Sequence, residues 1–366
     1  MSIIIRDLDK LLIDFCDLET DYFNLMCVNK HYHNLIVNNE LFMQWNKSPL
    51  IQDKNELFNK SCGLGLLLFL KYLVAKYDID IHATYKYPQR CRCCYMQSNA
   101  FQMSCINNHV DVAKWLIDLS QKPDFTLINI HASDEYAFRG SCENGHINVA
   151  KWLINLSQIP EFTLINIHAK DECAFKGSCQ NGQLDVAKWL INLSQKSNFT
   201  LIDIHAANEI AFRWSCQNGH LDVAKWLIDL SQESNFTLID IHADNETAFR
   251  GSCANGYIDV AKWLINLSQK SNFTLIDIHA ANEIAFRWSC QNGHLDVAKW
   301  LINLSQQSNF TLIDIHADNE NAFRWSCQNG HLDVAEWLID LSKKPEFTPI
   351  DDEIIRKYYH PKKIDK

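Results

Sequence analysis

The sequence predicts an all-α protein, built as a solenoid of about eight helical repeats behind a small helical segment. Three observations predict this. Trp115, Trp152, Trp189, Trp226, Trp263, Trp300 and Trp337 stand 37 residues apart throughout. Cys105, Cys142, Cys179, Cys216, Cys253, Cys290 and Cys327 keep the same period, and so do His131, His168, His205, His242, His279 and His316. Finally, 366 residues hold only 11 Gly and 7 Pro with 47% apolar residues, too few turn formers for an all-β fold and too apolar for disorder. A fixed period of this length marks units that bury their apolar faces only by stacking on neighbours. Asp185 to Ile228 recurs unchanged as Asp259 to Ile302, so a two-repeat block has been duplicated, and identity between repeats reflects that history as well as packing.

Residues 1–48 lie outside the period. Asp7 to Phe15 is helical and apolar, and Leu18, Asp21, Leu25, Val28, Lys30, Tyr32, Leu35 and Ile36 continue a helical pattern. Leu18 to Tyr32 resembles the second half of an F-box, and Leu41, Phe42 and Trp45 sit where that family often ends; its usual Leu-Pro opening is absent. The resemblance implies contact with a Skp-type adaptor of a cullin-RING ubiquitin ligase through Leu8, Leu11, Leu18, Tyr22, Leu25 and Val28. The alternative is a purely structural helical cap over the first repeat.

Residues 49–98 read as a worn first repeat followed by an insertion. Ser61-Cys62, Lys71-Tyr72-Leu73 and Asp80-Ile81-His82-Ala83 echo the later units, without the glycine turn in its usual form. Thr84 to Ser98 interrupts the period and carries Cys91, Cys93 and Cys94. Close-set cysteines suit zinc if His82 or His109 completes the set, but two separated Cys-x-x-Cys pairs are missing, so a reduced loop is the other reading.

Residues 99–345 contain seven clear repeats. In the unit around Ile204 to Leu230, Asn208 reads as a helix N-cap with Glu209 in the first turn. A short helix then runs to Gln217, burying Phe212, Ser215 and Cys216. Gly219 fits the left-handed position after a helix end. A second helix follows from Leu221 to Leu230, with Leu221, Ala224, Leu227 and Ile228 inward and Trp226 on its shoulder; Phe199 to Ala206 is an extended connector. The run Asn218 to Ile228 resembles the second-helix signature of the ankyrin repeat, and Asp203-Ile204-His205-Ala206 resembles its finger. Ile210-Ala211-Phe212-Arg213 departs from the family's Thr-Pro-Leu-His, and the connector is longer by about four residues, which puts hairpin fingers in doubt. The resemblance implies a protein-binding scaffold. An F-box-like segment joined to such repeats is similar to host-interaction proteins of large DNA viruses, which implies host cytoplasm.

The ladders are read as packing. The Trp row fills the core, the Cys row occupies small buried positions, and the His row bonds neighbouring fingers, while His220 and its equivalents brace the turn glycine. Binding information belongs to positions that break the pattern. Position 214 and its equivalents read Met103, Gly140, Gly177, Trp214, Gly251, Trp288 and Trp325. Beside them lie Tyr136, Ile210 and Ile284, and a row of cations that includes Arg139, Arg213, Arg250, Arg287 and Arg324. Exposed Trp beside Arg is a hot-spot composition, and a basic strip on the expected concave face suits an acidic partner segment. The competing reading lets Trp fill gaps left by glycines and Arg pair with Glu209-type acids.

Pro345 begins a charged tail, residues 346–366, expected to cap the array. The formal net charge of −10 disfavours a nucleic-acid partner. No run approaches the ~18 apolar residues that cross a membrane, and Met1 to Asp9 lacks a signal-peptide form, so a cytoplasmic location and silent Asn-x-Thr sequons are expected. Neither a nucleophile relay nor a phosphate-cradling glycine loop is present, and no cofactor or metal is expected. The enzyme reading, a site within the first hundred residues, finds no acid–base set there.

Overall fold

The computed structural model describes residues 54–86 and 97–360. The F-box-like positions Leu8, Leu11, Leu18, Tyr22, Leu25 and Val28, and Cys91, Cys93 and Cys94, therefore lie outside the described residues. The described residues contain helices and one two-stranded antiparallel hairpin, arranged in two compact units. None of these helices is long and apolar enough to cross a membrane.

The first unit holds the described residues up to Ser141 together with His146–Ile165. It contains α1 (Lys54–Gly63), α2 (Leu67–Lys76), β1 (Thr84–Lys86), β2 (Gln97–Asn99), α3 (Ala100–Ile106), α4 (Val110–Ser120), most of α5 (Ala132–Glu143) and α6 (Ile147–Leu156). The insertion opens as a β-stem, with Thr84 opposite Asn99 and Tyr85 opposite Ser98. The Asn59 side chain donates to the carbonyls of Ala83 and Ser98, at 3.3 and 3.0 Å, and ties the stem to α1. Asn99 and Gln102 form a reciprocal capping box that starts α3. The first repeat is less worn than expected. Gly65 supplies the turn with φ 73°, and His109 packs against it. His82 Nε2 lies 2.8 Å from Thr126 Oγ1, the same bond that the later His residues make.

The second unit holds Cys142–Gly145 and Asn166 onward. It contains α7 (Ala169–Gln180), α8 (Leu184–Ser194), α9 (Ala206–Gln217), α10 (Leu221–Ser231), α11 (Ala243–Ala254), α12 (Ile258–Ser268), α13 (Ala280–Gln291), α14 (Leu295–Ser305), α15 (Ala317–Gln328), α16 (Leu332–Ser342) and α17 (Asp352–Tyr358). Each repeat is a helix pair, and its core repeats with it. Phe212 and Cys216 come from the first helix, Val223, Ala224, Leu227 and Ile228 from the second, and Ile202 and Ile204 from the connector; all are buried. Leu221 is half-exposed instead, because the 223/224/227/228 stripe is the one that faces the first helix. Full burial of a Phe contributes up to about 3 kcal/mol by area. The Trp ladder packs, but only half-buried: Trp263 stands 6.3 Å from Phe212 of the preceding repeat, and Trp300 the same distance from Phe249.

Gly219 has φ 81°, and a Cβ there would meet Tyr257 Cδ1 at 2.5 Å, so the position demands glycine for both conformation and space. The residue at position 220 thus braces a turn, but that of the preceding repeat. His220 covers Gly182, His294 covers Gly256 and His331 covers Gly293. The connector is extended over a shorter span than expected: exposure alternates along Leu201, Ile202 and Asp203, but Ile204-His205 is a turn and Ala206 already begins α9, and no β-ladder joins successive connectors among the described residues. Within the tail, Asp352–Tyr358 forms a helix. Asp351 accepts the Glu353 N–H at 2.7 Å, while Asp352 and Glu353 in the first turn and Arg356 and Lys357 in the last complement the dipole of α17.

Candidate protein-binding face

From α5 onward, the first helix of each repeat opens with a backbone feature that the sequence does not announce. Ala207, Asn208 and Glu209 have φ of 55, 57 and 60°, and the same left-handed turn recurs at 133–135, 170–172, 244–246, 281–283 and 318–320. Asn208 is therefore not an N-cap, and no side-chain cap bond starts α9. Left-handed L-residues cost roughly 1–2 kcal/mol each, so the turn persists only because its surroundings hold it. His205 N–H donates to Asp203 Oδ1 at 2.9 Å, and His205 Nδ1 lies 2.7 Å from the buried Glu209 Oε1. The Glu209 oxygen also accepts Asp240 N–H of the next repeat, while His205 Nε2 meets Thr237 Oγ1 at 2.9 Å. The His ladder thus ties neighbouring connectors together, as read from its spacing.

The arginine row completes this brace. Arg213 donates from Nε to Asn208 O at 2.8 Å, from Nη2 to Ala207 O at 3.2 Å, and from Nη1 to Asp244 Oδ2 of the next repeat at 2.5 Å. Arg287 repeats this on Asn282 O, Ala281 O and Asp318, and is buried. Arg139 is buried over Asp134 O and Ser133 O, at 2.6 and 3.1 Å, and Tyr136 is buried beside it. Lys176 pairs with Asp171 at 2.7 Å. Arg250 donates to Asp244 O and Thr247 Oγ1, both at 3.0 Å. Arg324 donates to Asn319 O at 3.2 Å, and its guanidinium stands 5.2 Å over the Tyr358 ring. The expectation of an open basic strip is corrected: these cations serve the left-handed turns, because one or two turn carbonyls accept from each arginine, and an aspartate of the next repeat meets Arg213 and Arg287.

The apolar half of the expected site fares differently. Trp288 and Trp325 are 44% and 41% exposed, on consecutive first helices, while Trp214, Ile210 and Ile284 are half-exposed. The Gly/Trp alternation has a packing cause on its glycine side. A Cβ on Gly251 would stand 2.9 Å from Gln217 Cγ, and one on Gly177 3.3 Å from Glu143 Cβ, so the neighbour's side chain lies over the helix there. Sequence spacing could not show this, since the colliding atom is 34 residues away.

The Cys ladder is inert. Cys105, Cys142, Cys179, Cys216, Cys253 and Cys290 are buried free thiols, and burial pushes each far up from its ordinary value. Cys327 is half-exposed, with its thiol raised to about 11 by burial. Burial lowers His109, His146 and His294 from the ordinary imidazole value. Among the described residues no three His, Cys, Asp or Glu side chains group as metal ligands would.

A family model of ankyrin repeats, three copies long, matches residues 176–277 and again 252–349. No curated protein matches the chain. The model's two matches cover the stretch where the helix pair, the turn glycine and the connector recur, and ankyrin repeats generally mediate binding to other proteins. The chain thus carries ankyrin repeats over residues 176–349, in an all-helical, ankyrin-like solenoid with a 37-residue unit.

Proposed function

We propose that the repeats are a protein-interaction scaffold and that Trp288 and Trp325, with Ile284, Ile210 and Trp214, form its partner-binding face. The observation that carries this reading is the pair of exposed indoles on adjacent first helices, in an array whose other large side chains are mostly buried. Monomeric surfaces seldom expose two neighbouring Trp without use, and Trp anchors dominate interfaces. Proteins co-purified from the native cell with the intact chain and with Trp288→Ala/Trp325→Ala test it. Loss of a specific partner, with the urea midpoint of the variant close to that of the parent, supports the face; an unchanged partner set refutes it.

A second reading concerns the same scaffold's destination. The resemblance of Leu18 to Tyr32 to an F-box supports residues 1–48 as the contact for a Skp-type adaptor, with the repeats presenting a substrate for ubiquitination in the cytoplasm. Residues 49–98 then serve as first repeat and insertion, 99–345 as the substrate-binding array and 346–366 as its cap. Binding of the full chain, but not of one lacking residues 1–50, to a purified Skp-type adaptor at micromolar concentration is the expected result. Absence of binding by the full chain removes the ubiquitin reading and leaves residues 1–48 as a helical cap.

A further inference from the structure

The connectors carry a second row of exposed apolar side chains, on segments other than the first helices. Leu201, Leu238, Leu275 and Leu312 recur every 37 residues and are 39, 38, 38 and 37% exposed. Each is followed by a buried isoleucine (Ile202 in the first case) and then by an exposed aspartate: Asp203, Asp240, Asp277 or Asp314. Exposure alternates exposed–buried–exposed along each Leu-Ile-Asp triplet, the pattern of a locally extended chain, so every Leu shares its side with an Asp while the Ile between them turns inward.

These aspartates have one structural duty, accepting the N–H of the His two residues on. Asp240 Oδ1 takes His242 N–H at 2.9 Å, and Asp277 Oδ1 takes His279 N–H at 2.9 Å. The two preceding repeats show that the duty does not need a charge. Asn129 Oδ1 accepts His131 N–H at 2.9 Å, and Asn166 Oδ1 accepts His168 N–H at 3.0 Å. The negative charge at positions 203, 240, 277 and 314 is therefore additional to what the turn requires. It sits unneutralised by any ion pair among the described residues, unlike Asp244 and Asp318, which hold arginines.

We infer that this Leu/Asp ladder is a docking surface for a basic amphipathic helix of another protein. The occupant's form follows from the spacing. Stacked helix pairs lie about 10 Å apart, and two turns of α-helix rise about 10.8 Å, so a helix with one apolar residue every seventh position meets successive leucines. Its charge follows from the aspartates, each beside a leucine and each available to Lys or Arg. Such a helix needs about four heptads to reach from Leu201 to Leu312.

The test is a selection of displayed helical peptides about four heptads long against the full chain. Selected peptides should carry an excess of Lys and Arg with an apolar residue at every seventh position. Their affinity should fall about tenfold or more on Leu238→Ser/Leu275→Ser, and should be undiminished on Trp288→Ala/Trp325→Ala. Asp240→Asn/Asp277→Asn keeps the His N–H acceptor and therefore the fold, and it should weaken binding and flatten the salt dependence. Acidic selected peptides, or peptides that bind both the Leu and the Asp variants like the parent chain, overturn the ladder. Peptides lost on the Trp variant alone overturn it too, and point instead to the first-helix face.

Discussion

Residues 212–220, 286–294 and 323–331 share one nine-residue sequence, Phe-Arg-Trp-Ser-Cys-Gln-Asn-Gly-His, yet the last copy lives in different surroundings. In the two inner copies Cys216 and Cys290 are fully buried, Gly219 and Gly293 are covered by Tyr257 and His331, and Arg213 and Arg287 reach aspartates of the next repeat. In the last copy Cys327 is half-exposed, Gly330 has no atom near the place of a Cβ, and Arg324 faces Tyr358 of α17. Position 225 in the second helix changes in step: it is Lys in the inner repeats but Glu336 in the last, where the carboxylate accepts the Tyr359 hydroxyl at 2.5 Å. Burial in this molecule is supplied by the following repeat rather than by the residue's own helix pair, as one-dimensional stacking requires. α17 replaces only part of what a following repeat gives.

Removing an inner stacking residue should have the largest effect. Phe212→Ala should cost about 3–5 kcal/mol in urea unfolding, because its site is fully enclosed by two repeats. Trp226→Ala should cost less, about 2 kcal/mol, since the indole is only half-buried against Phe175. Equal losses for the two would mean that the Trp ladder is core after all. The left-handed turn gives a smaller effect of opposite sign. Ala281 has φ 56°, and Ala281→Gly relieves that conformation while keeping the carbonyl that Arg287 holds, so stability should rise by about 0.5–1 kcal/mol. A fall in midpoint would show that the turn is not left-handed.

The smallest effect is acid sensitivity. His109, His146 and His294 are held below the ordinary imidazole value of 6.5, chiefly by burial over the preceding repeat, so the unfolded chain binds more protons than the folded one just below that pH. Stability should be full above about pH 6.5 and decline as pH falls below it. Substituting all three with Gln, the residue that naturally occupies position 183, should flatten the urea midpoint between pH 7 and pH 5 to about the same value at both ends. A midpoint that still falls as steeply would assign the effect to other groups.

Helix pairs, turn glycines and buried ladders were legible in the sequence because each depends on spacing within one repeat. The left-handed turn was not. Ala207-Asn208-Glu209 contains no glycine, and an Asn ahead of a Glu reads locally as a helix start. Nor was the arginine row. Whether Arg213 is a surface cation or a brace depends on Asp244, 31 residues away and brought near only by stacking. The exposed indoles were legible for a related reason: a position that switches between Gly and Trp is under no common packing demand.

A following repeat, and not the local sequence, decides burial here. Alkylation of the native chain, followed residue by residue by mass spectrometry, tests it most directly. Cys327 should react about tenfold or more faster than Cys216 and Cys290, which share its nine-residue neighbourhood in sequence. Equal rates at the three thiols would mean that the following repeat does not decide burial.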